Sequence, residues 1–538
     1  MNRFKSPLSE NVFRFKYAQG PADNWDLVAD RIVEDVCGTR WGTQQALMSK
    51  DDRDQLAQYI KEFKFVPGGR YIYYAGRPNS YFNNCYLLRA EEDTREEWAE
   101  LAKRATSCLM TGGGIGVDYS ILRGKGKPIR RTGGVSSGPM SLASMINEIG
   151  RNVMQGGSRR SAIYASLNWQ HDDIHDFLEA KNWPQFIKDK KAEDFNFPAP
   201  LDMTNISVNY DDAWLANPMN DVFLKNCRQA METGEPGFSF NFGDKSNETL
   251  RNACTEVTSE DDSDVCNLGS VNIGNIESIA EFRDIVSLAS KFLVCGTLRA
   301  DLPYDKVYKV REKNRRLGLG LMGIHEWLLK RGYRYEVTPE LHNWLAEYKS
   351  ESERSANEHC DRFFISRPAA YRAIAPTGTI GILAGTTTGI EPLFAVAYKR
   401  RYLTEGTKWK YEYCVDATAQ MLINQGINPD KIETAYQLSN DYERRIKFQA
   451  DVQDYVDMSI SSTINLPAWE TEGNNPDKVA EFSTVLARYA PRLRGFTCYP
   501  DGSRGGQPLT EVSYDEAKDQ VGIIFEENDM CKGGVCGI

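Results

Sequence analysis

Between residues 83 and 119 the chain reads strand, helix, strand, and that order restricts the fold more than any other feature of the sequence. Asn83-Asn84-Cys85-Tyr86-Leu87-Leu88 is a short apolar segment with a polar entrance. Trp98, Leu101, Ala105 and Leu109 then recur on one helical face, which stops at Gly112-Gly113-Gly114, and Ile115-Gly116-Val117-Asp118-Tyr119 reads as a buried strand. Two strands joined through a helix pair in parallel, which predicts an α/β architecture. The alternation recurs, with strands at 161–167 and 238–242, a helix opening at His171-Asp172-Asp173-Ile174 and a long helix over about 339–360. Residues 314–323 lead into a helix. In front lie 65 residues of helical character, in which Trp25, Val28, Ile32 and Val36 keep three- and four-residue spacing up to Gly38. Pro67-Gly68-Gly69-Arg70 breaks that pattern, and Tyr71-Ile72-Tyr73-Tyr74 reads as a strand or a tightly packed connection.

At 538 residues, 41% hydrophobic and 26% charged, the chain has the composition of a folded, water-soluble protein. Its net charge of −10 disfavours a general nucleic-acid or anionic-membrane surface. No apolar run reaches the length of a membrane span, and Met1-Asn2-Arg3-Phe4-Lys5-Ser6-Pro7 is not followed by a signal-peptide core, so a cytoplasmic location is expected. Twelve cysteines in a chain this long are no disulfide scaffold. Cys37, Cys108, Cys227, Cys295, Cys360, Cys414 and Cys498 read as small buried hydrophobes. Cys85, Cys254, Cys266, Cys531 and Cys536 have neighbourhoods that require another account.

Asn252-Ala253-Cys254-Thr255-Glu256 would, if extended, present an amide, a thiol and a carboxylate on one face, a set suited to one small substrate. The same tripeptide pattern also occurs as a polar loop with a chance cysteine. The Gly- and Arg-rich stretches 122–131 and 155–160 suit phosphate, and equally suit basic connections between helix and strand. Ala373-Ile374-Ala375-Pro376-Thr377-Gly378-Thr379-Ile380 is an apolar strand followed by a helix start, where backbone N–H groups either receive a phosphate or are simply capped. The terminal segment carrying Cys531 and Cys536 is polar and glycine-bearing, and mobility is expected of it. Five histidines form no ligand-spaced cluster, so no metal site is expected.

Taken together, Pro67-Gly68-Gly69-Arg70, Asn84-Cys85, Gly113-Gly114-Ile115-Gly116, Gly156-Gly157-Ser158-Arg159-Arg160, Asn252-Ala253-Cys254-Thr255-Glu256, Cys266-Asn267-Leu268-Gly269-Ser270, Pro376-Thr377-Gly378-Thr379-Ile380 and the Cys531/Cys536 pair resemble the catalytic chain of ribonucleotide reductases, from about residue 65 onward. The resemblance implies a ten-stranded α/β barrel with a central finger loop over 66–512, preceded by a small helical region over 1–65 and followed by a flexible redox tail over 513–538. It implies that Cys254 carries a thiyl radical, that Glu256 takes the 3′-hydroxyl proton and that Asn252 orients the hydroxyls. Cys85 and Cys266 become the reducing dithiol on neighbouring strands, reset by exchange with Cys531 and Cys536. Asn84, Gly114, Pro376, Thr377, Gly378, Thr379 and Ile380 would contact substrate. Asp93, Arg123, Arg130, Gln155, Gly156, Gly157, Ser158, Arg159 and Arg160 would form the effector region, where a deoxynucleotide or ATP biases the choice of base.

Within that family the resemblance points to the adenosylcobalamin-dependent class. The partner-dependent class carries a Tyr-Tyr pair where this chain has Cys498-Tyr499, and a glycyl radical at Gly537 fits the thiol pairs less well. Ala253 and Thr255 stand where adenosylcobalamin-type members often have Pro and Gly, and no Asp-x-His-x-x-Gly cobalamin signature occurs. The lead-in is too short for the family's N-terminal ATP cone, so no on/off control at such a cone is expected. The expected partners are a ribonucleotide and a thioredoxin- or glutaredoxin-like reductant, with no nucleic acid and no membrane, in a monomer or homodimer. The alternatives are a catalytic subunit that needs a separate radical-generating subunit, and a non-catalytic nucleotide-binding regulator.

Overall fold

The computed structural model describes residues 3–39, 45–130, 133–153, 161–194, 197–404, 408–503 and 509–526. Its first strand, β1 (Phe65–Pro67), is followed by β2 (Cys85–Arg89), β3 (Gly114–Asp118), β4 (Ile163–Asn168), β5 (Thr204–Tyr210) and β6 (Gly237–Phe240). Strands β2 to β6 pair in parallel in chain order. The helices Arg95–Met110, Pro139–Asn152, Ile174–Leu178 and Asp221–Thr233 lie between them in the chain. Two short strands, β7 (Leu250–Arg251) and β8 (Thr258–Ser259), form a small hairpin before β9 (Asp264–Asn272) and β10 (Leu317–Met322).

The sheet closes on itself. β2 meets β9 antiparallel, β9 meets β10 in parallel, and β10 is bridged in parallel at Leu319 to Arg372. Ile374 in turn bridges Ile460 in parallel, with Ile374 N donating to Ser459 O (3.2 Å) and Ser461 N donating to Ile374 O (2.8 Å). Beyond Ile460 the chain enters β13 (Thr463–Leu466), which pairs in parallel with β14 (Gly495–Pro500), and β14 returns antiparallel to β6. Counting residues 370–374 as a strand, two parallel five-stranded halves run antiparallel to each other around a ten-stranded barrel. β1 extends the line of β2 along the same edge of β9.

Strands β9 and β10 are buried along both faces and β2 to β6 nearly so, β13 and β14 are more open on one face, where Thr463 is exposed, and the two faces of the barrel wall differ in chemistry. Outward positions such as Tyr86, Leu88, Ile115, Val117, Ile206, Val208, Phe238, Phe240, Leu317 and Leu319 join the main hydrophobic core. The alternate positions turn inward and include Gly116, Tyr164, Ser166, Ser207, Asn209, Ser239, Gly318 and Gly320. Small and polar inward residues leave room for chain inside the barrel. That space holds the finger loop between β6 and β9, whose Leu250 and Val257 pack in a separate cluster with Cys85, Leu87, Cys266, Leu268, Ala370, Ala373, Ala375 and Met458.

Three helices, Pro7–Lys16, Trp25–Cys37 and Lys50–Lys61, make up the N-terminal region, and the evenly spaced Trp25, Val28, Ile32 and Val36 lie on the second. The aromatic run 71–74 is helical, within Gly69–Tyr74; Tyr71 and Ile72 are buried there, so packing overrides β propensity. Residues 317–322 form β10, with Ile324–Lys330 the helix that follows; the glycines of β10 lie where a Cβ would meet Leu268 Cδ2 (Gly318, 2.3 Å) and Ala373 O (Gly320, 2.7 Å). A second sheet pairs β11 (Ala397–Thr404) with β12 (Lys408–Val415), β15 (Leu509–Val512) with β11, and β16 (Ile524–Glu526) with β12. The expected tail boundary at 513 therefore falls inside an ordered sheet that extends to Glu526. Among the described residues no helix is long and apolar enough to cross a membrane.

Candidate active site

The finger loop enters from β6 and is held against the inner wall by backbone proximity. A Cβ on Gly116 would lie 1.6 Å from Arg251 O, and one on Gly114 would lie 3.0 Å from Ala253 Cβ. Glycine at 116 is thus a requirement of the close approach, not of backbone conformation. Gly114, expected to contact substrate, faces the finger loop.

The segment 252–256 is a turn, and the extended geometry expected of it is corrected. Thr255 N donates to Asn252 O (3.0 Å), and Thr255 has φ 71°. Asn252 and Glu256 consequently fold back into the interior, both 1% exposed, while Cys254 stands exposed at the tip. Thr255 is β-branched, and a β-branched residue at positive φ is strained.

Cys85 and Cys266 are direct register partners across the antiparallel β2/β9 pair, and alternation turns both toward the finger loop. Directly opposed residues have Cβ atoms about 4.5–5.5 Å apart, a small movement away from the roughly 3.5–4.5 Å of a disulfide. Asn252 Nδ2 lies 2.9 Å from Cys85 Sγ, and its Oδ1 accepts from Val257 N (2.9 Å). Cys85 Sγ is 3.9 Å from Glu256 Oε1, while Glu256 Oε2 is buried without a hydrogen-bond partner. Burial raises the Glu256 carboxyl to about 7, against the hydrogen bonds from Asn252 and Cys85. Burial, followed by the charges of Glu256, Cys266 and Cys254, pushes the Cys85 thiol up. Burial and the Asp264 carboxylate do the same to Cys266. All ten described cysteines are thiols, and Cys254 alone among them is exposed. The seven expected to be buried are buried.

At the mouth of the barrel, Asn84 precedes β2, and its Oδ1 is buried without a hydrogen-bond partner. Residues 376–379 follow the strand segment 370–374. Because the two halves run antiparallel, both positions lie toward the same end. Thr377 Oγ1 accepts from Gly389 N (2.8 Å), and the first intrahelical bond of Gly378–Ala384 is Gly381 N to Thr377 O (2.7 Å), so the helix itself uses none of the N–H groups of 378–380. Pro376 and Gly378 are exposed, but the Ile380 side chain belongs to the main core and leaves only its backbone for a ligand.

Asp93 and Arg123 of the expected effector region pair with each other, Arg123 Nε to Asp93 Oδ2 at 2.5 Å, and Arg123 Nη1 also donates to Pro128 O (2.8 Å). Arg130 is exposed on the same loop. Residues 155–160 and the Cys531/Cys536 pair lie outside the described residues. Glu248, Asp264 and Arg494 escaped the sequence reading, and Arg251 and Arg316 entered it without a role, although all bear on the finger loop. The available signal was charge where strands begin, as in Arg316 immediately before the apolar run of β10.

A barrel that encloses a loop bearing an exposed thiol, a buried carboxylate without a full set of partners, and a facing pair of thiols carries a set of groups suited to thiol redox chemistry. The sequence profile of the family described as "Ribonucleotide reductase, barrel domain" matches residues 83–235, 216–344 and 366–490. The chain therefore belongs to the ribonucleotide reductase family. It is 27% identical to a vitamin B12-dependent ribonucleoside-diphosphate reductase of Mycobacterium tuberculosis, over 92% of this chain and 78% of that protein. With the vitamin B12-dependent ribonucleoside-diphosphate reductase of Thermoplasma acidophilum it shares 26% identity over 97% of this chain and 75% of that one. The crystal structure of a B-12 dependent (class II) ribonucleotide reductase superimposes with a TM-score of 0.72 at 16% identity, covering 96% of this chain and 94% of that one, which supports the same fold.

Proposed function

We propose that this chain converts ribonucleotides to 2′-deoxyribonucleotides by thiyl-radical chemistry, with adenosylcobalamin as the radical source. The observation that carries the proposal is the pairing of Cys85 with Cys266 in register beside a finger loop that supplies Asn252, Cys254 and Glu256.

Cys254, once oxidised to a thiyl radical, removes the 3′ hydrogen atom of the ribose. Glu256 accepts the 3′-hydroxyl proton at its unpartnered Oε2, and Asn252 holds the hydroxyls. The 2′-hydroxyl leaves as water with a proton from the dithiol. Cys85 and Cys266 give two electrons to the sugar and close to a disulfide, and Cys254 returns its hydrogen atom to C3′. The net change is ribonucleotide plus dithiol to deoxyribonucleotide, disulfide and water. Asn84 and the backbone of 377–380 are assigned to substrate, Cys531 and Cys536 to disulfide exchange with a thioredoxin- or glutaredoxin-like reductant, and Asp93, Arg123, Arg130 and 155–160 to the effector.

Cys254 is the one described cysteine open to solvent, as removal of its hydrogen atom by a bound cofactor would require. When bound, adenosylcobalamin supplies the carbon-centred radical that takes this hydrogen atom. On β14 the chain has a single tyrosine, Tyr499, beside the buried Cys498, and so lacks there the tyrosine pair of a partner-driven relay.

Protein, adenosylcobalamin, a dithiol and ribonucleoside di- or triphosphate are expected to give deoxynucleotide with no second subunit. Product that forms only after a metal-radical protein is added would move the chain to the partner-dependent class. Turnover by Cys254→Ser would remove the radical assignment.

A further inference from the structure

Glu248 belongs to the finger loop, yet it lies at the loop's base and does not enter the chemistry above. It is 8% exposed and meets four partners. Oε2 accepts from Thr258 Oγ1 (2.7 Å) and Arg494 Nη2 (3.0 Å), while Oε1 faces Arg316 Nη1 (3.4 Å) and Lys245 Nζ (3.2 Å). Arg316 Nε continues to Asp264 Oδ2 (2.8 Å), which also accepts from Ser259 Oγ (2.6 Å) and Asn314 Nδ2 (2.8 Å). Arg251 on the other finger strand donates to Glu248 O, to Asn241 Oδ1 (2.7 Å) and to Arg494 O (3.1 Å). Both strands of the finger hairpin are thus tied to residues at or beside the first turns of β9, β10 and β14. Burial opposes ionisation of Glu248, but Arg316, Arg494 and Lys245 outweigh it and bring the carboxyl down to about 2.

Burying this many charges is a poor route to stability, because apolar residues of similar volume often do as well. Its return is a fixed geometry. We infer that Glu248 is a positioning residue, a clamp whose ion pairs to Arg316 and Arg494 set the height of the finger tip, and so hold Cys254 and Glu256 in register with the Cys85/Cys266 dithiol. Asp264 lies two positions before Cys266 on β9, so the clamp fixes the finger loop and one half of the dithiol through a single network. The inference rests on the reductase reading for its effect on turnover, but not for its effect on the loop.

The test therefore has two readouts. Glu248→Gln, which keeps an acceptor for Thr258 but loses the charge, and Glu248→Asp are compared with the unmodified chain by mass-spectrometric rates of iodoacetamide labelling at Cys85, Cys266 and Cys254, and by adenosylcobalamin-dependent turnover. In Glu248→Gln, labelling of the shielded Cys85 and Cys266 is expected to rise about tenfold, and kcat to fall roughly 100-fold with little change in KM, the scale of a displacement near 1 Å. Glu248→Asp is expected to recover part of both. Thr258→Val, which removes one hydrogen bond, gives the same signs should Glu248→Gln fail to fold. Unchanged labelling in these variants, or a raised KM with unchanged kcat, overturns the clamp. If the unmodified chain gives no deoxynucleotide, the reductase reading fails while labelling still decides the clamp.

Discussion

Glu256 gives the site a pH dependence near neutrality. Its carboxyl is raised by burial to about 7, so the base is only partly ionised near neutrality. We expect kcat/KM to rise with pH up to about 7 and to level off above it, and Glu256→Gln to lose that limb together with roughly 100- to 10,000-fold in rate, the range for a positioned general base. Stability changes in the opposite direction. A carboxyl raised on folding contributes fully below its unfolded value of 4.5, and that contribution is lost as pH rises through about 7. Urea unfolding at pH 5 and pH 8 should therefore show the unmodified chain losing up to roughly 3 kcal/mol relative to Glu256→Gln over that interval; equal losses in both proteins would show that Glu256 titrates normally. Cys85, Cys254, Cys266 and Glu256 can be singled out in the sequence by the motifs Asn84-Cys85, Asn252-Ala253-Cys254-Thr255-Glu256 and Cys266-Asn267-Leu268-Gly269-Ser270, and their roles come from the family resemblance those motifs carry. Glu248 and Arg494 cannot, because the partners of their side chains, other than Lys245, lie 10 to 246 positions away in the chain.

Among the elements, strands and helices of the barrel follow from apolar runs and helical spacing, and the finger loop does not. The five residues 252–256 are too few to separate a strand from a turn; the deciding facts are the Asn252–Thr255 hydrogen bond and the left-handed Thr255. The inward glycines are ambiguous for a related reason, since Gly116 inside a strand reads as weakness until Arg251 O is seen against it. Gly116→Ala forces β3 and the finger strand β7 apart. It is expected to leave the barrel folded, with far-UV circular dichroism unchanged, and to lower kcat by about 100-fold, the penalty for a misplacement near 1 Å. Normal turnover in this variant would mean that the loop accommodates the displacement without moving Cys254.

At the scale of the whole molecule, the N-terminal helices are part of the same core as the barrel. Phe13, Trp25, Val28 and Ile32 belong to the hydrophobic cluster that also covers the outer faces of β2 to β6. Trp25 stacks on Phe63 at 4.8 Å and meets Phe13 edge-on at 6.2 Å, and its indole N–H donates to Ile60 O (2.9 Å). The same region grips the helix Gly378–Ala384 from its far end: Ser9 Oγ donates to Ile382 O (2.6 Å), and Lys5 Nζ reaches Gly385 O (3.3 Å) and the buried Glu326 (3.4 Å). A lead-in attached this way cannot open alone without stripping apolar surface from the barrel and releasing the helix next to the mouth. Trp25→Ala is accordingly expected to destabilise the chain by about 3–5 kcal/mol, the scale of a large aromatic removed from a core. It should do so in a single transition, with tryptophan fluorescence and far-UV circular dichroism moving together. A separate early transition that leaves the strand signal and nucleotide binding intact would show instead that residues up to about Phe63 form a unit of their own. In that case the grip on Gly378–Ala384 contributes nothing to the mouth of the barrel.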